Sequence, residues 1–236
     1  MLTFLARALL APLARIVFRP TVVGRRKMPA TGGVVVASNH LSFIDSVVIS
    51  LLARRPVSFL AKADYFTGRG AKGALSRTFF TGVGAIPVER GAGKAAQDAL
   101  DAGLARVLAG QAFSIYPEGT RSRDGRLYRG KTGVAWLALT AGVPVVPVAL
   151  RGTQDLQPVG SRRIRRARIR VEFGDPIDVS SFGPASSSRA RRQATDAIMA
   201  EIQRMSGQEY AGVYNEPPAH GVVEKVKRAL RSRGEL

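Results

Sequence analysis

His40 and Asp45 stand five positions apart in Ser38-Asn39-His40-Leu41-Ser42-Phe43-Ile44-Asp45, and only one other histidine, in the C-terminal tail, occurs in the chain. A neutral imidazole takes a proton from an alcohol near pH 7. A carboxylate on its other ring N–H fixes the tautomer and stabilises the imidazolium that forms. The pair therefore reads as a general base with its orienter. The same residues also fit a capping box, with Ser42 as N-cap and Asp45 as third helical residue, in which Asp45 only holds a helix end. The segment by itself supports both readings equally.

The surrounding pattern favours chemistry. Residues 34–37, Val-Val-Val-Ala, form a short buried strand that ends at the motif, and a helix starts near Ser42. In an open α/β sheet ligands bind beyond the carboxyl ends of the strands. Other strand-like runs also deliver polar groups to their ends: residues 57–61 lead to Lys62, Gly84-Ala85-Ile86-Pro87-Val88-Glu89 leads to Arg90, and residues 112–116 empty into Pro117-Glu118-Gly119-Thr120-Arg121-Ser122. A crevice ringed by cations is expected of an anion site. Taken alone, Arg121 is equally a surface turn residue, and Glu118 in Pro-Glu-Gly is a turn carboxylate, with holding the arginines or accepting a hydroxyl as its other uses.

These residues need a scaffold, and periodicity supplies one. Residues 94–108 read as a helix with Ala95, Ala99, Ala102 and positions 104–108 inward. Residues 65–81 read as a loop and short helix, and residues 129–141, opening with Lys131, as a helix around Trp136. The prolines of Val143-Pro144-Val145-Val146-Pro147-Val148 place that strand at an edge or make it irregular. In residues 162–173, Ala167, Ile169, Val171 and Phe173 alternate with charges, a strand with one wet face. No aromatic residues are interleaved for base stacking, so no specific nucleic-acid site is expected. Serines cap a helix over 188–205 after a linker. Gly68-Arg69-Gly70-Ala71-Lys72-Gly73 and Gly91-Ala92-Gly93-Lys94 lack the order of a phosphate-binding P-loop and read as ordinary loops.

Lys and Arg number 36 against 17 Asp and Glu, a formal charge of +19, so an anionic partner is the leading expectation. Without cysteine there is no thiolate nucleophile or disulfide, and with two histidines a metal site is not expected. No secretory signal is convincing at the N-terminus. Instead Leu2, Leu5, Leu9, Leu13 and Ile16 recur at helical spacing, Arg7 and Arg15 fall to the other side, and Pro12 bends the helix. Such a helix suits a membrane interface with acidic headgroups, or it docks on the core. The uncharged run 132–150 is broken by Gly142, Pro144 and Pro147, so no membrane span is expected.

Four blocks resemble, in order, the lysophospholipid (1-acylglycerol-3-phosphate) acyltransferase family: Asn39-His40-Leu41-Ser42-Phe43-Ile44-Asp45, Gly84-Ala85-Ile86-Pro87-Val88-Glu89-Arg90, Tyr116-Pro117-Glu118-Gly119-Thr120-Arg121-Ser122 and Val143-Pro144-Val145-Val146-Pro147-Val148. The resemblance spans about residues 24–180. It implies an α/β domain with a mixed, mostly parallel central sheet flanked by helices, over residues 24–206. An amphipathic membrane-docking helix precedes it over 1–23, and a basic tail or helix follows over 207–236. It further implies transfer of a fatty acyl group from acyl-CoA or acyl carrier protein to lysophosphatidic acid or another lysolipid or glycolipid, at the cytoplasmic face of the cell membrane. No cofactor beyond the acyl donor is implied. By resemblance His40 is the base and Asp45 its partner, while Lys62, Arg90, Glu118, Gly119, Thr120, Arg121 and Lys131 line the acceptor and phosphate site. Two positions depart from the family pattern: Gly130 stands where an aromatic often precedes the lysine, and Glu89 where Asp is commoner. The competing class is a basic membrane- or nucleic-acid-binding protein in which His40 and Asp45 are structural.

Overall fold

The structure, a computed structural model, describes residues 2–89, 94–158, 161 and 163–216. The chain opens with α1 (Leu2–Phe18) and a short strand β1 (Thr21–Val23). It then alternates through β2 (Val34–Ser38), α2 (Asp45–Leu52), β3 (Val57–Lys62), α3 (Asp64–Thr67), α4 (Gly70–Gly82), β4 (Ala85–Val88), α5 (Lys94–Leu108) and β5 (Ala112–Ile115). The second half adds β6 (Leu127–Arg129), α6 (Gly133–Ala141), β7 (Val145–Arg151), α7 (Thr153–Leu156), β8 (Arg170–Phe173), α8 (Ser188–Ser206) and β9 (Tyr210–Tyr214).

Seven strands form one sheet in the order β1-β8-β7-β2-β5-β3-β4, every pairing parallel except β7 with β8. β2 lies at its centre with all five residues buried, as its unbroken Val-rich sequence requires of a strand covered on both faces. Val34 and Val36 point into one core with Ile49 and Leu52 of α2. Val35 and Ala37 point into another with Val134, Leu137 and Ala138 of α6 and Ile198 and Ile202 of α8. The expected mixed, mostly parallel sheet flanked by helices is the one observed.

Several sequence expectations shift. The strand with prolines is interior, between β8 and β2. Pro147 is tolerated because it lies where the pairing slips by one residue, between the Val145–Ile177 bridge and the Val148–Phe173 start of the β7/β8 ladder. Its carbonyl still accepts from the Gly174 N–H at 2.8 Å. The helix expected from 129 begins at Gly133, because residues 127–129 are held as β6 against β9, a second small sheet. α5 keeps its expected bounds but turns Gly103 and Val107 inward and leaves Leu108 65% exposed. Phe113 fills the space over Gly103, whose Cβ would meet the ring at 2.6 Å. Residues 65–81 contain two helices, α3 and α4. Of the strand expected over 162–173, the described residues 163–173 are strand only at 170–173, although Ile169, Val171 and Phe173 are buried as their alternation requires.

α1 carries its amphipathic pattern outward. Leu5, Leu9, Leu13 and Ile16 are 54–73% exposed, whereas Ala11 is buried and Arg7 reaches inward to the Ala53 carbonyl at 2.8 Å. Of the tail expected over 207–236, residues 210–214 are β9, paired with β6, and the part from residue 217, its apolar positions included, lies outside the described residues. Among those residues no helix is long and apolar enough to cross a membrane.

Candidate active site

β2 and β5 are neighbours and parallel, so the segments leaving their carboxyl ends meet. His40 follows the first and Glu118 the second. The Asn39 side chain locks the exit of β2 to β7. Its Nδ2 donates to the Leu150 carbonyl at 2.9 Å, and its Oδ1 accepts from the Leu150 N–H at 2.8 Å. The chain then turns, and α2 begins at Asp45, with the Asp45 N–H bonded back to the Ser42 carbonyl at 3.3 Å.

Asp45 is fully buried, and its Oδ2 accepts three hydrogen bonds: from His40 Nδ1 at 2.8 Å, Leu41 N–H at 2.7 Å and Ser42 N–H at 2.8 Å. The His–carboxylate pair is formed but the capping box is not: Ile44 is the N-cap and Asp45 the first residue of α2, so the Leu41 and Ser42 N–H groups it holds belong to the preceding turn. The backbone donors immobilise the carboxylate and the carboxylate immobilises the ring. The Ser42 hydroxyl does not cap α2; it donates to the Gln157 carbonyl at 2.7 Å.

The ring is fixed a second way. His40 stacks on Tyr116 with centroids 3.8 Å apart and planes 9° apart, and the Tyr116 hydroxyl shares a 2.8 Å hydrogen bond with Ser46, beside Asp45 on α2. Burial and the Asp45 charge push the Tyr116 phenol well above its ordinary value, so it stays neutral and serves as a flat apolar wall.

Glu118 holds the backbone of the motif. Its Oε1 accepts from the His40 N–H and its Oε2 from the Tyr128 N–H, both at 3.0 Å, and its side chain has no solvent exposure. Burial raises its carboxyl from 4.5 to about 7 against the opposing pull of the two N–H donors. The turn is tied down further by Ser122 N–H to the His40 carbonyl at 2.8 Å and Lys131 N–H to the Pro117 carbonyl at 2.8 Å. Gly119 adopts a φ of 75°, and a Cβ there would come within 3.1 Å of the Lys131 Cδ, Cε and Nζ atoms, so the Lys131 amine lies over this turn. The carbonyls of Thr120 and Arg121 accept from Asn215 Nδ2 at 3.4 and 3.2 Å.

A family model described as Acyltransferase matches residues 19–151. The chain belongs to that acyltransferase family. The chloroplastic 1-acyl-sn-glycerol-3-phosphate acyltransferase BAT2 of Brassica napus is 32% identical over 162 residues, 68% of this chain and 45% of that protein. The 1-acyl-sn-glycerol-3-phosphate acyltransferase of Escherichia coli (strain K12) is 41% identical over 69 residues, 29% of this chain and 27% of that one. The chain spans about half the length of the plant relatives it matches. In fold it resembles the 1-acyl-sn-glycerophosphate acyltransferase PlsC from Thermotoga maritima, with a TM-score of 0.65 and 22% identity over 86% of this chain and 79% of that one.

Within this member of the family the matched residues are not all equally close. His40, Asp45, Glu118, Gly119 and Lys131 form one connected cluster. Lys62 ends β3, one strand beyond β5, and pairs with Asp64. Arg90 lies outside the described residues. Sequence reasoning missed Tyr116 as the ring's support and Asn39 as the lock on β7, since both depend on which strands become neighbours. The unusual Gly130 has a steric reason: a Cβ there would meet Met199 Cγ at 2.8 Å and Thr195 Cγ2 at 2.9 Å, because α8 packs against it.

Proposed function

We propose that this acyltransferase moves a fatty acyl group from acyl-CoA or acyl carrier protein to the free hydroxyl of lysophosphatidic acid, giving phosphatidic acid in phospholipid synthesis. The observation that carries the reading is the bond from His40 Nδ1 to the buried Asp45 carboxylate, at the carboxyl edge of the sheet. With Nδ1–H engaged, Nε2 is the basic nitrogen. It takes the hydroxyl proton as the oxygen attacks the thioester carbonyl. The new C–O bond forms, the C–S bond breaks, and the thiolate recovers the proton from the imidazolium. Asp45 stabilises the imidazolium in between and need not change protonation.

Lys131, Arg121, Lys62 and Arg90 are the candidate holders of the acceptor phosphate. Guanidinium groups present paired donors that fit phosphate oxygens, and held there they set the hydroxyl beside the base. Glu118 acts through the backbone of His40 as a positioning residue. The outward leucines of α1, joined to the chain's large positive charge, support peripheral docking on an anionic membrane, at its cytoplasmic face.

The test is free-thiol release from palmitoyl-CoA by purified protein with lysophosphatidic acid in detergent micelles, beside His40→Ala. Acceptor-dependent release that disappears in the variant is expected. Equal release by both proteins would remove His40 as the base. No release with either acyl-CoA or acyl-carrier-protein donors would remove the activity.

A further inference from the structure

Four arginines from three parts of the chain gather where α1 crosses the far end of α2. Arg7 Nη2 and Arg25 Nε both donate to one oxygen, the Ala53 carbonyl, at 2.8 and 3.1 Å. Arg54, the next residue, donates to the carbonyls of Arg26 and Met28, both at 3.3 Å. Arg15 lies two turns along α1 from Arg7, and its charge is felt by both Arg7 and Arg25. Burial first, then Arg25 and Arg15, depress the Arg7 guanidinium to about 10.

A helix-capping role does not account for this cluster. The carboxyl end of a helix carries roughly half a negative charge, and one guanidinium offsets it. Here four positive groups converge, and among the described residues none is bonded to a carboxylate. Arg7 Nη1 is buried with no acceptor among them. Arg7 is half-buried and Arg15, Arg25 and Arg54 are exposed around it, so the like charges converge at a place a solvent-borne anion can reach and relieve their mutual repulsion. The cluster is separate from His40, because the length of α2, roughly 12 Å at 1.5 Å per residue, lies between Asp45 and Ala53. It instead lies against the inner side of α1, whose outer side exposes Leu5, Leu9, Leu13 and Ile16. A helix seated with its apolar face at the acyl boundary places groups on its other side at the level of lipid phosphates.

We propose that Arg7, Arg15, Arg25 and Arg54 form a binding site for the phosphate of an anionic phospholipid headgroup, so that α1 docks with selectivity for acidic lipid. The inference rests on the reading of α1 as the lipid-facing helix, and the experiment separates the two.

Full-length protein is sedimented with vesicles of phosphatidylcholine alone and of phosphatidylcholine containing phosphatidylglycerol. Arg15→Gln/Arg54→Gln changes only exposed members of the cluster. Arg106→Gln/Arg189→Gln removes the same charge from α5 and α8, on the opposite face of the sheet. The first pair should reduce the preference for acidic vesicles about thirtyfold, at about fivefold per arginine near the surface. The second should change it by less than about threefold. Equal losses in both pairs would assign the preference to the overall field and overturn the site, as would no loss in either. Leu9→Ser/Leu13→Ser should weaken binding to both vesicle types; unchanged binding there would overturn the lipid-facing reading of α1 itself. Thermal stabilisation by inorganic phosphate, present in the wild type and lost in Arg15→Gln/Arg54→Gln, without any vesicle preference, would make the ligand free phosphate and overturn the lipid assignment.

Discussion

The imidazole of His40 lies face to face with the phenol of Tyr116, 3.8 Å between centroids, while its edge is bonded to Asp45. One contact fixes the ring plane and the other its rotation within that plane, so Nε2 has a defined direction. Tyr116 is in turn held by Ser46, the residue after Asp45. Tyr116→Leu should lower kcat by about tenfold to a hundredfold with little change in donor KM, since a ring misdirected by a fraction of an ångström loses alignment without losing basicity. Tyr116→Phe keeps the stack and should stay within about threefold. Steady-state kinetics on the two variants checks this, and equal losses would assign the effect to the hydroxyl instead.

Asp45→Asn probes a different property. Three donors converge on one Asp45 oxygen. An amide oxygen can still take the backbone N–H groups, but it loses the charge that balances an imidazolium and brings an NH2 group that competes for the wrong tautomer. We expect kcat/KM to fall about a thousandfold or more. Because the two residues act as a unit, Asp45→Asn combined with His40→Ala should be no slower than His40→Ala alone. Multiplying losses in the double variant would show that Asp45 works independently of the ring.

Glu118 makes the fold sensitive to pH. Its carboxyl is raised from 4.5 to about 7 in the native state, chiefly by burial. Between those values the folded chain keeps a proton that the unfolded chain has released, so stability falls as pH rises from about 4.5 to 7 and is level above. The total is about 3 kcal/mol, at about 1.4 kcal/mol per pH unit. Glu118→Gln lacks this titration. Denaturant unfolding of both proteins at pH 5 and pH 8 isolates the difference, with the wild type losing about 3 kcal/mol more than the variant across the interval. Parallel losses would show that Glu118 is ionised throughout. Gln has one acceptor oxygen for two N–H groups, so the variant should also lose about tenfold in kcat through a loosened His40 backbone.

The chemistry of this site was legible in sequence wherever it is local. His40 and Asp45 are close in the chain, and a turn leading into a helix brings them together whatever the rest of the fold does. The alternation of Ile169, Val171 and Phe173 and the serine cap of α8 were legible for the same reason, each being set by near neighbours. What remained hidden is what depends on strand order. Pro147 reads as an edge signal, and only the slipped pairing with Gly174 and Ile177 lets it sit inside the sheet. Glu118 resembles a solvent-facing turn carboxylate until β5 is placed beside β2 and its oxygens meet the N–H groups of His40 and Tyr128. The outward apolar face of α1 was legible as a pattern. Its inward Arg7 takes on meaning only with the Ala53 carbonyl beneath it, a position the folded α2 sets.

Asn39 tests how far the site depends on that strand order. Its side chain makes the pair of hydrogen bonds to Leu150 that a neighbouring strand would make, continuing the β2/β7 ladder one residue past its last backbone pairing at Ser38–Val148. A further bond, from Nδ2 to Gln208 Oε1 at 2.7 Å, ties in the segment before β9. Asn39→Ala strands a buried N–H and a buried carbonyl of Leu150, each costing about 1–3 kcal/mol when left without a partner. Asn39→Asp keeps the acceptor for the Leu150 N–H but turns an oxygen towards the Leu150 carbonyl and the Gln208 oxygen, burying a charge against two acceptors. We therefore expect Asn39→Asp to be at least as destabilising as Asn39→Ala despite its closer shape, by about 3 kcal/mol or more at neutral pH. Protonating the new carboxyl restores a donor, so Asn39→Asp should recover stability relative to Asn39→Ala as pH falls towards 5. Thermal unfolding of the two variants across that range decides the matter: if the curves stay parallel, the side chain at position 39 does not bridge the two strands.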